Sequence, residues 1–108
     1  MTVKELCESA GFSPICLPDP EREVEGGYCG DLLSWVMGRA KSGQAWVTIM
    51  SNINIAAVAT LCDTSVIILS EGVMPDAGVA EAAEARGINI AATELPTYEA
   101  AVRVSQLI

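Results

Sequence analysis

Two almost unbroken apolar runs, Trp46-Val47-Thr48-Ile49-Met50 and Ser65-Val66-Ile67-Ile68-Leu69, flank a stretch from Ile53 to Leu61 in which Ile, Ala, Val and Leu recur without a charge. Two β-branched-rich runs around a helix-length segment predict a strand–helix–strand unit, the signature of a parallel sheet. The runs do not alternate polar with apolar, as expected of strands covered on both faces. Upstream, Val3, Leu6, Cys7 and Ala10 recur at helical spacing. Thr2 and Glu5 stand three apart as a capping box, and Gly11 ends the helix. Ile15-Cys16-Leu17 predicts a short strand stopped by Pro18 and Pro20. Asp31 is placed to cap a helix running to Ala40, with Leu32, Leu33, Trp35, Val36 and Met37 apolar and Ser42-Gly43 at its end. Asn52 is placed to cap the middle helix in the same way. Downstream, Pro75-Asp76 opens a helix to Arg86, closed by Gly87. Ile88 to Ala92 is the last strand. Pro96 suits the first turn of a final helix whose apolar residues are Tyr98, Ala101, Val102, Val104 and Leu107. The alternation predicts an α/β fold, a mostly parallel sheet with helices on its faces, formed by residues 1–108 as a single small domain.

The segment from Pro18 to Gly30 breaks the pattern. It is acidic and turn-rich, with Val24 and Tyr28 able to place a short strand across part of it. Gly26-Gly27 permits positive φ or close backbone approach. Two readings stand: a connector with a β-bulge, or a loop lining a binding site.

Composition narrows the function classes. Of 108 residues 51% are hydrophobic, enough for a core without staples. The net charge of −8 repels phosphate backbones and anionic surfaces, so neither nucleic acid nor membrane is an expected partner. Glu5 and Glu8 interrupt the start of the chain where a signal peptide needs an apolar run, and the expected location is cytoplasmic. The chain has no histidine, which removes His-dependent catalysis and His-ligated metals. Cys7, Cys16, Cys29 and Cys62 form no Cys-x-x-Cys pair, so free thiols are expected, with Cys29 in its glycine-rich turn the most exposed. No metal and no cofactor is expected.

Four stretches together resemble the DRTGG domain family: Glu25-Gly26-Gly27-Tyr28-Cys29-Gly30-Asp31-Leu32-Leu33-Ser34-x-Val36-Met37, the strand ending before Ser51-Asn52, the run from Val66 to Asp76, and Gly87-Ile88-x-Ile90-x-x-Thr93. The resemblance spans nearly the whole chain and implies a stand-alone member with a fold like the N-terminal domain of HPr kinase/phosphorylase. Family members occur in phosphate acetyltransferases, beside CBS domains in pyrophosphatases, and as small proteins encoded near iron hydrogenases. The resemblance therefore implies a protein partner in a metabolic or hydrogenase-associated system. At the name-giving positions this chain carries Asn52-Ile53 for Asp-Arg and Ser70-Glu71-Gly72 for Thr-Gly-Gly, without the arginine that would contact an anion. It also contains no Gly-x-x-x-x-Gly-Lys-Ser/Thr phosphate loop. The purified chain is accordingly expected to transfer no labelled phosphate from ATP to a protein substrate, and observed transfer would overturn that reading.

In an open α/β sheet, ligands bind beyond the carboxyl ends of the strands. The residues expected there are Ser51, Asn52, Asn54, Ser70, Glu71, Gly72, Thr93 and Glu94, converging with Gly26 and Gly27 on one crevice. They read either as caps and turns or as a site in which helix N-termini hold a carboxylate or phosphate. The resulting expectation is a non-catalytic regulatory or interaction module that senses a small ligand at the strand ends. The alternative is a small nucleotide- or acyl-phosphate-binding switch or enzyme using the same crevice. A homodimer is expected through the uncharged middle helix, because an uncharged outer surface is an apolar patch that monomers seldom expose.

Overall fold

Helix α1 (Val3–Ala10) opens the computed structural model, which describes every residue from Met1 to Ile108. There follow β1 (Ser13–Cys16), β2 (Gly26–Cys29), α2 (Leu33–Arg39), β3 (Gln44–Thr48), α3 (Asn54–Cys62), β4 (Val66–Leu69), α4 (Val79–Arg86), β5 (Ile90–Ala92) and α5 (Thr97–Leu107). The five strands form one sheet in the order β1-β5-β4-β3-β2. β2 to β5 are mutually parallel, and β1 closes the far edge antiparallel to β5. Each of the three crossovers steps to the adjacent strand in the same direction. Right-handed connections of that kind put their helices on one face.

Burial on both faces explains the continuous apolar runs. Ala45, Val47, Val66, Ile68 and Ala91 point to the face covered by α1 and α5. Trp46, Ile67, Leu69, Ile90 and Ala92 point to the face covered by α2, α3 and α4. The period of two is present in geometry but invisible in hydropathy, because neither face meets water.

Local signals at α1 act as expected. Thr2 Oγ1 accepts from the Glu5 amide at 3.1 Å, the Glu5 carboxylate accepts from the Thr2 amide at 2.9 Å, and Gly11 caps at φ 74°. These hydrogen bonds from Thr2 hold the Glu5 carboxyl below its usual range. Gly87 closes α4 at φ 73°.

Several expectations are corrected. Asp31 does not cap α2, whose N-cap is Leu32 with no side-chain bond. Its carboxylate accepts instead from Thr48 Oγ1 at 2.8 Å and the Ile49 amide at 3.0 Å, tying the end of β2 to the end of β3. Pro75-Asp76 does not open α4, which begins at Val79 after Gly78 at φ 86°. β3 lies two residues earlier than the apolar run suggests. Pro96 precedes α5 as its N-cap rather than sitting inside its first turn. Of α2's apolar residues only Val36 is buried.

Polar locks at the amino end of the sheet complete the fold. Asp63 ends α3 in the left-handed region at φ 58°, where its carboxylate accepts from Arg22 at 3.0 Å and from Ser42. Those bonds, Arg22's first, lower the Asp63 carboxyl's pKa. All four cysteines are free. Cys7 and Cys62 are buried, Cys16 is half-buried and Cys29 is exposed. Burial, with the charge of Glu8, pushes Cys7 up to about 11 and keeps it a neutral core residue.

Candidate functional site

The carboxyl ends of β4 and β5 carry Ser70-Glu71-Gly72 and Thr93-Glu94, and these five residues do come together. β5 runs into a short loop before α5, and that loop folds back over the end of β4. The Glu71 amide donates to Leu95 O at 2.8 Å and the Gly72 amide to Thr93 O at 3.0 Å. The buried Ser70 hydroxyl shares a 2.7 Å hydrogen bond with Thr97 Oγ1. Glu71 stands at φ 61°, a left-handed conformation that costs a residue with a Cβ about 1–2 kcal/mol. That geometry aims its carboxylate at the start of α5, where Oε2 accepts from the Thr97 amide at 2.8 Å. Glu71 is therefore the anion at this helix N-terminus, where a carboxylate is favoured by both the free N–H and the dipole.

Beside this latch lies an open pocket of about 250 Å³, lined by Gly72, Val73, Met74, Thr93 and Glu94. Because β1 is antiparallel, its first residue Ser13 pairs with Ala92 and forms the pocket's outer wall together with Ile15. A side chain at Gly72 would meet the Glu94 carboxylate, with Oε2 standing 2.8 Å from a Cβ built there. Glycine at φ 75° thus leaves room for Glu94 over the turn.

The other expected residues lie elsewhere. Ser51 Oγ donates to Asp76 Oδ1 at 3.0 Å, and the Asp76 amide donates to Ser51 O at 2.9 Å, which fastens the β4–α4 loop to the end of β3. Asn52 Oδ1 accepts from the Asn54 amide at 2.9 Å and turns the chain into α3, one residue later than expected. Gly26 and Gly27 do not converge with these groups, which corrects the single-crevice expectation. They are the first residues of the edge strand β2, and Gly26 pairs with Gln44, the first residue of β3, so they lie at the amino end of the parallel strands. There they face the last turns of α5 across a second pocket of about 370 Å³, with Cys29, Val47, Val104 and Ser105. Although Cys29 as a residue is exposed, partial desolvation of its sulfur, and then the charge of Asp31, raises the thiol's pKa, the direction opposite to that of an activated nucleophile.

This arrangement narrows the chemistry. The amides of Asn54, Glu71, Gly72 and Thr97 at these strand and helix ends all donate inside the chain and are not free to hold an anion. Ser70 is buried and bonded to Thr97 rather than to a base. Among residues that reading by sequence missed, Thr97 had one available signal, its place after Pro96 at the start of a helix. Asp31 and Asp76 had none, because each looks like an ordinary cap.

A five-stranded, mostly parallel sheet covered on both faces, with a pocket at its carboxyl edge, defines the class as a small α/β domain. No family model matches the chain, and no curated protein matches its sequence. Among solved structures, the chain is similar to the CBS and DRTGG domains of the regulatory region of a Clostridium perfringens pyrophosphatase, crystallised with its activator diadenosine tetraphosphate. The TM-score is 0.70 at 12% identity, over 97% of this chain and 46% of that one. This chain thus spans about half the length of the region it matches. At that identity the likeness is one of fold, and the fold is DRTGG-like. No helix is long and apolar enough to cross a membrane.

Proposed function

We propose that this domain is a non-catalytic regulatory module that takes a small ligand in the β4–β5 pocket and works as a homodimer. The observation that carries the ligand site is the Glu71 latch. It fixes the loop that forms one side of the pocket while leaving Glu94 and Thr93 on the pocket wall. The polar groups around it are engaged in holding backbone, an arrangement suited to sensing rather than to proton transfer. The pocket lies just below the usual range for drug-sized ligands, about 300–1,000 Å³. It therefore suits part of a molecule, such as a base or a ribose. A carboxylate beside the apolar Ile15 and Met74 favours hydroxyl or amino donors over phosphate, so the phosphates of a nucleotide would point outward to solvent. The related pyrophosphatase region, whose activator is a dinucleotide, supports the nucleoside class without identifying the molecule. The acyl-phosphate alternative would need the backbone donors that Glu71 and Asn52 already engage.

Thermal shift against adenosine, adenine nucleotides, diadenosine tetraphosphate and acetyl phosphate tests this reading. A ligand at one hundred times its Kd stabilises the folded state by about 2.7 kcal/mol. The expected result is a rise in Tm with at least one nucleoside-containing compound, none with acetyl phosphate, and loss of the rise in Ser13→Trp, which fills the pocket from its exposed edge. A flat panel, or a rise that Ser13→Trp leaves unchanged, contradicts it.

A further inference from the structure

α2 turns its large apolar residues outward. Leu32 is 59% exposed, Trp35 56% and Met37 50%, while Val36 is buried with Leu33 and Ala40 half-buried beside it. At about 100° per residue, Ser34 and Gly38 form the outermost ridge, with Trp35 and Met37 on its two flanks. A Cβ at Gly38 would meet nothing within 4 Å, so the isolated domain carries the helix-interior penalty of glycine with no steric need for it. Charge is polarised along the same element. Asp31 stands just before it, Arg39 occupies its last turn with the guanidinium 3.6 Å over the Trp35 ring, and Lys41 follows. Residues 31–41 hold one acid and two bases, a net charge of +1, so the rest of the chain carries −8 − 1 = −9.

We propose that α2 is the surface on which a second copy of this chain docks, α2 against α2, antiparallel about a two-fold axis. The proposal rests on the homodimeric reading above and moves its interface from α3 to α2. Charge complementarity selects both occupant and orientation. Antiparallel pairing brings each Asp31 to the partner subunit's Arg39 and Lys41 and sets opposite helix-dipole ends side by side. Parallel pairing would oppose like with like. The remainder of the surface, at −9, repels a second copy. An isologous contact hides the same apolar patch on both subunits, and Gly38 lets the two backbones approach.

Sedimentation equilibrium of the full chain at micromolar concentration tests this, with tryptophan emission as a second readout. Trp46 is fully buried, so concentration-dependent loss of iodide quenching reports Trp35. The expected result is a two-chain mass with Trp35 shielded. Trp35→Glu and, separately, Gly38→Gln should give one-chain masses with unchanged circular dichroism, while Thr60→Glu on the outside of α3 should keep two chains. A one-chain wild type overturns both the dimer and this interface. A wild-type dimer that survives Trp35→Glu and Gly38→Gln overturns the α2 interface alone and leaves the dimer standing.

Discussion

Replacing Trp46 with alanine should cost the fold about 3–5 kcal/mol, the usual loss for a fully buried large aromatic. Trp46 is 0% exposed on the face covered by α2, α3 and α4, in one apolar cluster with Val36, Ile55, Ala59 and Ile67. Its indole N–H also donates to Gly30 O at 2.9 Å, holding the end of β2 beside β3. Alanine leaves a cavity between the sheet and the helices over this face and removes that bond. Domains of this size have about 5–15 kcal/mol to lose. The variant should therefore unfold at a much lower urea midpoint, or be only partly folded without denaturant. Tyr98→Ala is the control, because Tyr98 is 77% exposed and an exposed position away from special features changes stability by about 0.5 kcal/mol or less. Equal effects at Trp46 and Tyr98 would contradict the burial pattern.

Asn89→Ala is the second large effect expected. Asn89 is buried in the link between α4 and β5, where its amide donates to Asp19 O at 2.7 Å and Ser65 O at 2.9 Å while its oxygen accepts from the Asp19 amide at 2.9 Å. One side chain thus joins the segment after β1 to the start of β4. Alanine strands these partners, and each buried group left unpaired costs about 1–3 kcal/mol. A total loss of about 2–4 kcal/mol is expected from urea unfolding, with faster amide exchange at Asp19. Asn89→Asp should not rescue it, because a carboxylate would face two carbonyl oxygens. A change within 0.5 kcal/mol for Asn89→Ala, roughly that of an ordinary surface substitution, would contradict the lock.

The sequence disclosed most where local physics decides alone. The Thr2–Glu5 box, Gly11 and Gly87 are short-range devices, and the apolar runs of β3 and β4 report burial on both faces. It disclosed least where a distant partner decides. Asp31 and Asp76 look like caps, yet one bonds the end of β3 and the other Ser51, and neither partner is adjacent in the chain. β2 is built from Gly-Gly-Tyr-Cys, which has no strand pattern and pairs because β3 offers a free edge. α2 is apolar nearly all round, so no periodicity separates its inner Val36 from its outer Trp35. Of the residues expected beyond the strand ends, Ser70, Glu71, Gly72, Thr93 and Glu94 lie together, whereas Ser51, Asn52 and Asn54 are engaged at the end of β3. Gly26 and Gly27 lie at the opposite end, because the strand-end rule requires the direction of β2, which the turn-rich segment concealed. Ser13 belongs to the pocket only because β1 runs antiparallel.

The most direct test of the regulatory, ligand-sensing account is amide chemical-shift mapping of the labelled chain against the nucleoside compound giving the largest thermal shift, with the compound followed in the same tube. The account predicts saturable shifts centred on Ser13, Gly72 to Met74, Thr93 and Glu94, with the compound recovered intact. Turnover of the compound, or shifts centred on Gly26, Gly27 and the end of α5 instead, would contradict it.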